Sequence, residues 1–323
     1  MAKTHYKVLA NGRDISAVLR DRLEQLLVTD RAGLAADTVM LALDNRDDKI
    51  AFPATGAELE IWLGTGDRQS YKGLYQVTEL EMPLETRQLI IHATAAPFRD
   101  AIKSPRSRTY SDIRFGDLVS QIAAVHGLTP VVSTVLANRH FEHINQQGES
   151  DLNLLTRLAT QMGAVAKPVA GRLLVTPRGT GQSASGKAMP EHRIDDPAHS
   201  RGTLRIAERS EYRAVAGRWF DEKSQRWKQE VAGEGEPLLV LKTGFRSGED
   251  AAEAASSELT LLQRARRHLS LERPLNPALA AEARVRISGH RAAANGQWII
   301  AEATHMITAG GVATTRLQLY EAR

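Results

Sequence analysis

The sequence predicts a mainly β protein with an α+β insertion, its two ends folding as two similar β-barrel-like domains. Three observations predict it. Short alternating apolar runs closed by turn residues fill both ends of the chain. Helical 3.6-residue spacing is concentrated between them. One hairpin pattern occurs twice, once near each end.

Residues 1–97 form the first predicted domain. Tyr6–Ala10 runs into Asn11-Gly12, a strong turn dipeptide. The segment Asp14–Val28 has helical spacing at Leu19, Leu23, Leu26 and Leu27, which predicts a short helix or irregular connection. Thr38–Leu43 is an apolar run closed by Asp44-Asn45, and Leu59–Leu63 alternates until Gly64. Leu74–Leu80 and Gln88–Ala93 complete a sheet of short strands.

Residues 98–178 read as a mixed α+β domain. Phe115–His126 is an amphipathic helix with Leu118, Ile122 and Val125 on one face, and Gly127 is placed to end it. Ser150 caps a second helix carrying Leu152, Leu155, Leu158 and Ala159, which stops at Gly163. Ala164–Lys167 and Arg172–Thr176 make a hairpin around Ala170-Gly171. Residues 179–190, rich in Gly and Ser, are a flexible linker by composition.

Residues 191–323 are again mostly β, with an inserted helix at 247–268. Ser247 and Asp250 make a capping pair. Arg264, Arg266, Arg267 and His268 crowd the predicted last turn, where the helix dipole favours them, so the cluster needs no DNA-binding explanation.

The repeated pattern is the most informative feature. Leu59-Glu-Ile61-Trp-Leu63-Gly64 precedes Gly73-Leu-Tyr75-Gln-Val77-Thr-Glu79, and Ala283-Arg-Val285-Arg-Ile287-Ser-Gly289 precedes Gly296-Gln-Trp298-Ile-Ile300-Ala-Glu302. Each copy is an alternating strand, a glycine, a polar loop, then Gly-x-aromatic-x-aliphatic-x-Glu, with a further strand behind it. Either hairpins merely look alike or the chain carries two related β domains. Gly73, Tyr75, Gly296 and Trp298 are the structural residues the pattern singles out.

Chemistry-bearing motifs are lacking. There is no cysteine, which removes disulfides, thiolate zinc sites and cysteine nucleophiles. Gly181-Gln-Ser-Ala-Ser-Gly186-Lys187-Ala188 matches the start of a phosphate-binding loop, but Ala188 replaces the metal-holding hydroxyl and Pro190 stands where the helix should run. The same stretch breaks Gly-x-Ser-x-Gly at Ala184 and Ser185, so no nucleophile elbow forms. His140 and His143 could share a helix face, yet no third ligand stands at metal spacing. Asp44, Asp47 and Asp48 read as a solvated turn. No catalytic residue, cofactor or metal ligand is assigned.

Net charge is +4, with 11 basic against 14 acidic residues in 1–97, 10 against 6 in 98–178, and 21 against 18 in 179–323. That base is spread too thinly for a concentrated nucleic-acid patch. The first residues lack the apolar core of a signal peptide, and no run approaches the roughly 18 apolar residues of a membrane span, so no stable membrane insertion is expected.

Several stretches resemble the late control protein D family, the tail hub proteins of contractile phages. More distantly they resemble the hub half of type VI secretion spike proteins (VgrG). The carrying residues are Pro53–Gly64 with Gly73–Val77, then Gln147–Ala159 ending at Gly163. Tyr212–Val215 with Trp219, Gly296–Ile300, His305 and Thr314-Thr315 complete the set. Their order covers nearly the whole chain. One departure is that Leu275–Ala281 lacks a glycine expected before the strand at Ala283, which puts the local loop geometry in question. The resemblance implies a homotrimer whose two barrel-like domains per chain make a pseudo-sixfold ring. Its implied partners are a central spike protein, the tail tube and other baseplate proteins, with DNA passing only through the lumen. It implies a place in the virion tail baseplate, whether of a phage or a headless tailocin, after assembly in the host cytoplasm. The slightly acidic first region is compatible with a lumen that does not hold DNA. Alternatives from other classes are a tail-associated cell-wall hydrolase and a nucleic-acid-binding module.

Overall fold

Thirteen strands hydrogen-bond into one sheet that draws on both ends of the chain. This is a computed structural model, and it describes residues 3–33, 36–95, 102, 104–169, 171–177, 190–206, 212–264 and 266–322. The predicted linker, apart from Pro190, and the phosphate-loop-like stretch lie outside the described residues, as does the turn residue Ala170.

The first part of the chain supplies β1 (Thr4–Ala10), β2 (Arg13–Asp14), α1 (Ser16–Arg20), β3 (Leu23–Arg31) and β4 (Thr38–Asp44). β5 (Glu58–Thr65), β6 (Arg68–Glu81) and β7 (Gln88–Ala95) follow, giving the order β3-β4-β7-β6-β5-β1-β2. All ladders in this half are antiparallel. β1 and β3–β7 turn Val8, Leu26, Val28, Leu41, Ile61, Leu63, Tyr75 and Leu89 into one core.

Leu19, Leu23 and Leu26 have helical spacing, but only Ser16–Arg20 is helical. The rest is strand β3. A register shift between Leu23 and Gln25 inserts an extra residue, so Leu23 and Leu26 face the same core at a spacing of three. A β-bulge thus counterfeits helical periodicity.

The middle region contains β8 (Pro105–Arg114), α2 (Phe115–Val125), β9 (Thr129–Val132), α3 (Thr134–Ala137) and β10 (His140–Ser150). α4 (Asp151–Gln161), β11 (Ala164–Val169) and β12 (Arg172–Pro177) complete it. Ser150 caps α4, its Oγ accepting from the Asn153 amide at 3.2 Å. Phe115, Leu118, Ile122, Leu154, Leu155 and Leu158 share a second core, whereas Val125 is 53% exposed at the helix end rather than on the buried face. His140 and His143 lie on β10, not on a helix, so they alternate across a strand and take separate partners, Asp112 and Ser111.

Beyond the linker come β13 (His192–Ile194), β14 (Arg201–Ile206), β15 (Ala214–Asp221), β16 (Arg226–Gly233) and β17 (Leu238–Phe245). Then follow α5 (Gly248–Arg264), β18 (Arg267–Pro274), β19 (Arg284–Ile287), β20 (Gly296–Thr308) and β21 (Ala313–Glu321). The inserted helix ends at Arg264, earlier than predicted. Ser247 Oγ does accept from the Asp250 amide at its start, at 3.1 Å. Arg267 and His268 open β18 instead of closing the helix. Arg267 there pairs with Glu321 and lies over the Trp298 ring at 5.6 Å. The helix does not come alone, since β15, β16 and β17 form a separate sheet against which it rests.

The remaining strands run β14-β18-β21-β20-β19-β13 around a third core of Leu269, Leu271, Val285, Trp298, Ile300 and Leu317. Strand for strand this repeats β3-β4-β7-β6-β5-β1. One pairing differs, because β13 runs parallel to β19 where β1 runs antiparallel to β5. The two halves meet where β3 pairs with β20. Each half wraps its own core, yet no ladder closes either into a barrel among the described residues, and β14 and β2 end the path. No helix among them is long and apolar enough to cross a membrane.

Leu26 lies fully buried on β3, with its neighbours fixed by strands on both sides. Leu26→Ala is expected to cost about 2–5 kcal/mol in urea unfolding, whereas Val18→Ala at a 70% exposed position is expected to leave the midpoint within experimental error.

Candidate functional site at the joint of two like halves

The repeated hairpin is built the same way twice. Gly73 lies opposite Ile61 with φ +136, and Gly296 lies opposite Ile287 with φ +143. That positive φ is where glycine is favoured. Two residues on, Tyr75 pairs with Leu59 and Trp298 with Val285, and both aromatic rings are fully buried. Each ring turns its polar atom to a backbone carbonyl just upstream. Tyr75 Oη donates to Lys72 O at 2.9 Å, and Trp298 Nε1 donates to Ala294 O at 2.9 Å. A buried aromatic with a hydrogen-bonding edge needs such a partner.

The likeness extends one step further. The register shifts between Val77 and Glu79 in β6, and between Ile300 and Glu302 in β20. Thr78 and Ala301 are the extra residues. Each bulge swaps the face of the strand that follows, so Leu80 continues the core side in one half and Ala303, His305 and Ile307 do so in the other.

Beyond its bulge β20 carries the joint. Residues Glu302–Thr308 pair with Arg31–Gln25 of β3. Arg31 Nε reaches Glu302 Oε2 at 2.8 Å, and the Thr29 and Thr304 hydroxyls meet at 3.4 Å. A further bulge places Lys72 between paired neighbours Tyr71 and Gly73. Its side chain crosses to the other half, donating to Pro277 O at 2.5 Å and meeting His305 Nε2 at 2.9 Å. His305 Nδ1 lies 2.9 Å from Thr315 Oγ1, and its Nε2 lies 3.1 Å from Leu279 O. Lys167 of the middle region joins from β11, donating to Asp37 Oδ1 at 2.5 Å and Arg31 O at 2.7 Å. Asp30 Oδ2 accepts from the Ala281 amide at 2.9 Å, tying down the Leu275–Ala281 loop. Glu282, just before Ala283, takes φ +66, so the backbone there has the geometry that glycine accommodates best.

Burial governs the charges. It lowers Lys72 to about 8, with Asp30 and Asp37 pulling the other way. Burial, helped by the Lys72 charge, lowers His305 to about 3. A protonated ring would put a second positive charge beside the ammonium group with little water to screen it.

Two other clusters draw attention. In the middle region His126 Nε2 lies 2.8 Å from Asp151 Oδ2, and Gln146 donates to Asp151 Oδ1 at 2.8 Å. Burial opposes the Asp151 charge, but these bonds and Arg106 hold its pKa below the usual value. Asp151 opens α4, and both side chains of the pair are buried. A cleft between β10, α4, β17 and α5 is lined by Arg139, Arg157, Asp250 and Glu253. Arg139 is held there by Glu249, Asp250 and Glu253, and Arg157 by Glu149, so its charges are matched internally. Among the described residues no group of three His, Asp or Glu side chains is placed to hold a metal.

Gly73, Tyr75, Gly296 and Trp298 thus sit at corresponding points of the two hairpins. Sequence reasoning missed Lys72, His305, Asp30, Asp37 and Lys167 as a set. His305 was noted only within the resemblance, and no spacing rule joins residues so far apart in the chain.

These features define a structural β protein of two like halves locked by a buried polar joint. The family model described as phage tail baseplate hub (GPD) matches residues 38–311, and the chain belongs to that family. It is 32% identical to the probable baseplate hub protein of Escherichia phage 186, over 97% of this chain and 92% of that one. The 43 kDa tail protein of prophage MuSo2 from Shewanella oneidensis has a similar fold, with a TM-score of 0.75 at 13% identity over 99% of both chains. The Escherichia coli c3393 protein, a type VI secretion component, is similar at a TM-score of 0.60 and 9% identity, over 93% of this chain and 74% of that one. The protein is a baseplate hub of a phage tail, with a structural rather than enzymatic role.

Gly296→Ala is expected to cost about 1–2 kcal/mol from backbone strain alone, since an added Cβ would meet nothing within 4 Å. Gly73→Ala is expected to cost as much, and unchanged urea midpoints would contradict both. For His305, a folded pKa of about 3 against an ordinary 6.5 means that the neutral ring favours the fold. Its contribution is complete above pH 6.5 and is lost as the pH falls toward 3. The urea midpoint is expected to drop between pH 7 and pH 5, and His305→Gln is expected to flatten that drop.

Proposed function

We propose that three copies of this hub close into a ring that joins a sixfold tail tube to a threefold central spike. The observation carrying this reading is the doubled half, the same strand order, positive-φ glycine, buried aromatic and bulge occurring twice in one chain. Three chains then present six like units to one neighbour and three whole chains to the other, a match of symmetry made by geometry alone. Residues 1–97 serve as one ring domain and β13, β14 and β18–β21 of residues 191–323 as the other. Residues 98–178, with the sheet and helix of 214–264 leaning on them through Arg139, brace the ring from outside.

Its partners in this reading are the spike, the tube and other baseplate proteins, and DNA contacts only the lumen. Assembly takes place in the host cytoplasm, before the particle is released. The first region's excess of acidic residues supports a passage that does not retain DNA.

Light scattering over a range of concentrations tests the ring. A mass near three times the 35.4 kDa chain is expected. A stable dimer would overturn it.

A further inference from the structure

Each half of the chain has an edge strand and a docking stretch, and the chain satisfies only one pair of them. β3 seats its outer edge on β20 beyond the Ala301 bulge. β14 corresponds to β3, being the strand beside β18 as β3 is beside β4. The stretch of β6 beyond Thr78 corresponds to that of β20. Yet among the described residues β14 pairs only with β18. On its β5 side, β6 makes no backbone bond past Val77 among the described residues. Among the described residues one edge and one docking stretch are left unpaired, one in each half of the chain.

We propose that β14 of one copy adds antiparallel to β6 of the next, in the register that β3 takes on β20. The inference deepens the ring reading and rests on it. Register follows from the ladders. Leu204 takes the place of Val28, each opposite the corresponding core residue of the next strand, Leu269 and Val39. Met82 stands where His305 does, three residues past the bulge pair Glu79 and Glu302. Val28 faces His305, so Leu204 faces Met82 of the neighbouring copy. In the same way Arg205 faces Glu81, as Thr29 faces Thr304, and Ile206 faces Leu80, as Asp30 faces Ala303.

The residue chemistry fits this register. Met82 and Ile206 are 47% and 64% exposed, an apolar cost in a single copy that the ladder removes. Leu80 lies on the core side after the bulge, Met82 follows it two residues on, just past the end of β6, and Leu204 already packs against the core of its own half. The apolar layer therefore continues from copy to copy. Glu81 and Arg205 bring opposite charges together on the outer face, where a cross-strand ion pair helps fix partner and register. A shift of one residue would break all three matches. Pro83 lacks an N–H, which ends this ladder sooner than the one on β20. Because the two surfaces differ, the copies join head to tail, the arrangement that gives a ring where the rotation closes.

The absence of native cysteine makes the register directly testable. Met82→Cys with Leu204→Cys is the in-register pair, and Leu80→Cys with Leu204→Cys is the same face two residues out. Under mild oxidation the first is expected to give covalent trimers on a non-reducing gel at least about tenfold faster than the second, because disulfides need close Cβ atoms. Light scattering of the same samples reads the assembly itself. Trimers in which both pairs cross-link equally, or neither does, would overturn the ladder and leave the ring standing. A monomer at every concentration, or a dimer, would overturn both. Charge gives an independent reading, since Arg205→Glu is expected to loosen the trimer and Glu81→Arg with Arg205→Glu to restore it. An Arg205→Glu trimer as tight as the parent would also overturn the ladder.

Discussion

The structure depends on what happens to the edges of its sheet. A strand with an unpaired row of N–H and C=O groups either finds a partner or invites the wrong one. The ladder between β3 and β20 answers that within the chain and turns two separately cored halves into one sheet.

Bulges do much of the aiming. Thr78 and Ala301 let an aromatic residue point into the core early in the strand while residues of opposite parity point there later. Without the extra residue, Tyr75 and Leu80 would face opposite ways. The bulge at Lys72 works differently. It turns a charged side chain inward and across the joint, and Tyr75 takes up the carbonyl that the irregularity leaves free. The same aromatic ring therefore anchors the core and repairs the backbone.

Much of the β architecture was legible because its signals are local. Asn11-Gly12, Ser150 before α4 and the Gly-x-aromatic pattern each specify geometry within a few residues. The errors have local causes too. Leu23 and Leu26 were misread because a bulge mimics a helix, and Arg267 and His268 because basic residues suit a helix end as readily as a strand beside an acidic partner. The joint was not legible. Lys72 and His305 meet across 233 positions, and nothing near either residue indicates the other. Its one hint was the missing glycine before Ala283, and there the backbone does take a positive φ, at Glu282.

The polar character of the joint has a physical consequence that an apolar seam would lack. Sliding β3 by two residues against β20 would keep the core face inward and cost an apolar interface little. Here the slip would part Arg31 from Glu302, and Thr29 from Thr304. It would also disturb the Asp30 carboxylate that holds Ala281, and with it the loop carbonyls around Lys72 and His305. Buried polar groups left unsatisfied are expensive, so such a seam tolerates one register only. The desolvation that pulls Lys72 and His305 downward is the energetic counterpart of that selectivity. Buried groups with displaced pKa values often mark catalytic centres. In a structural hub the same displacement follows from burying the polar groups that hold the joint in its one register.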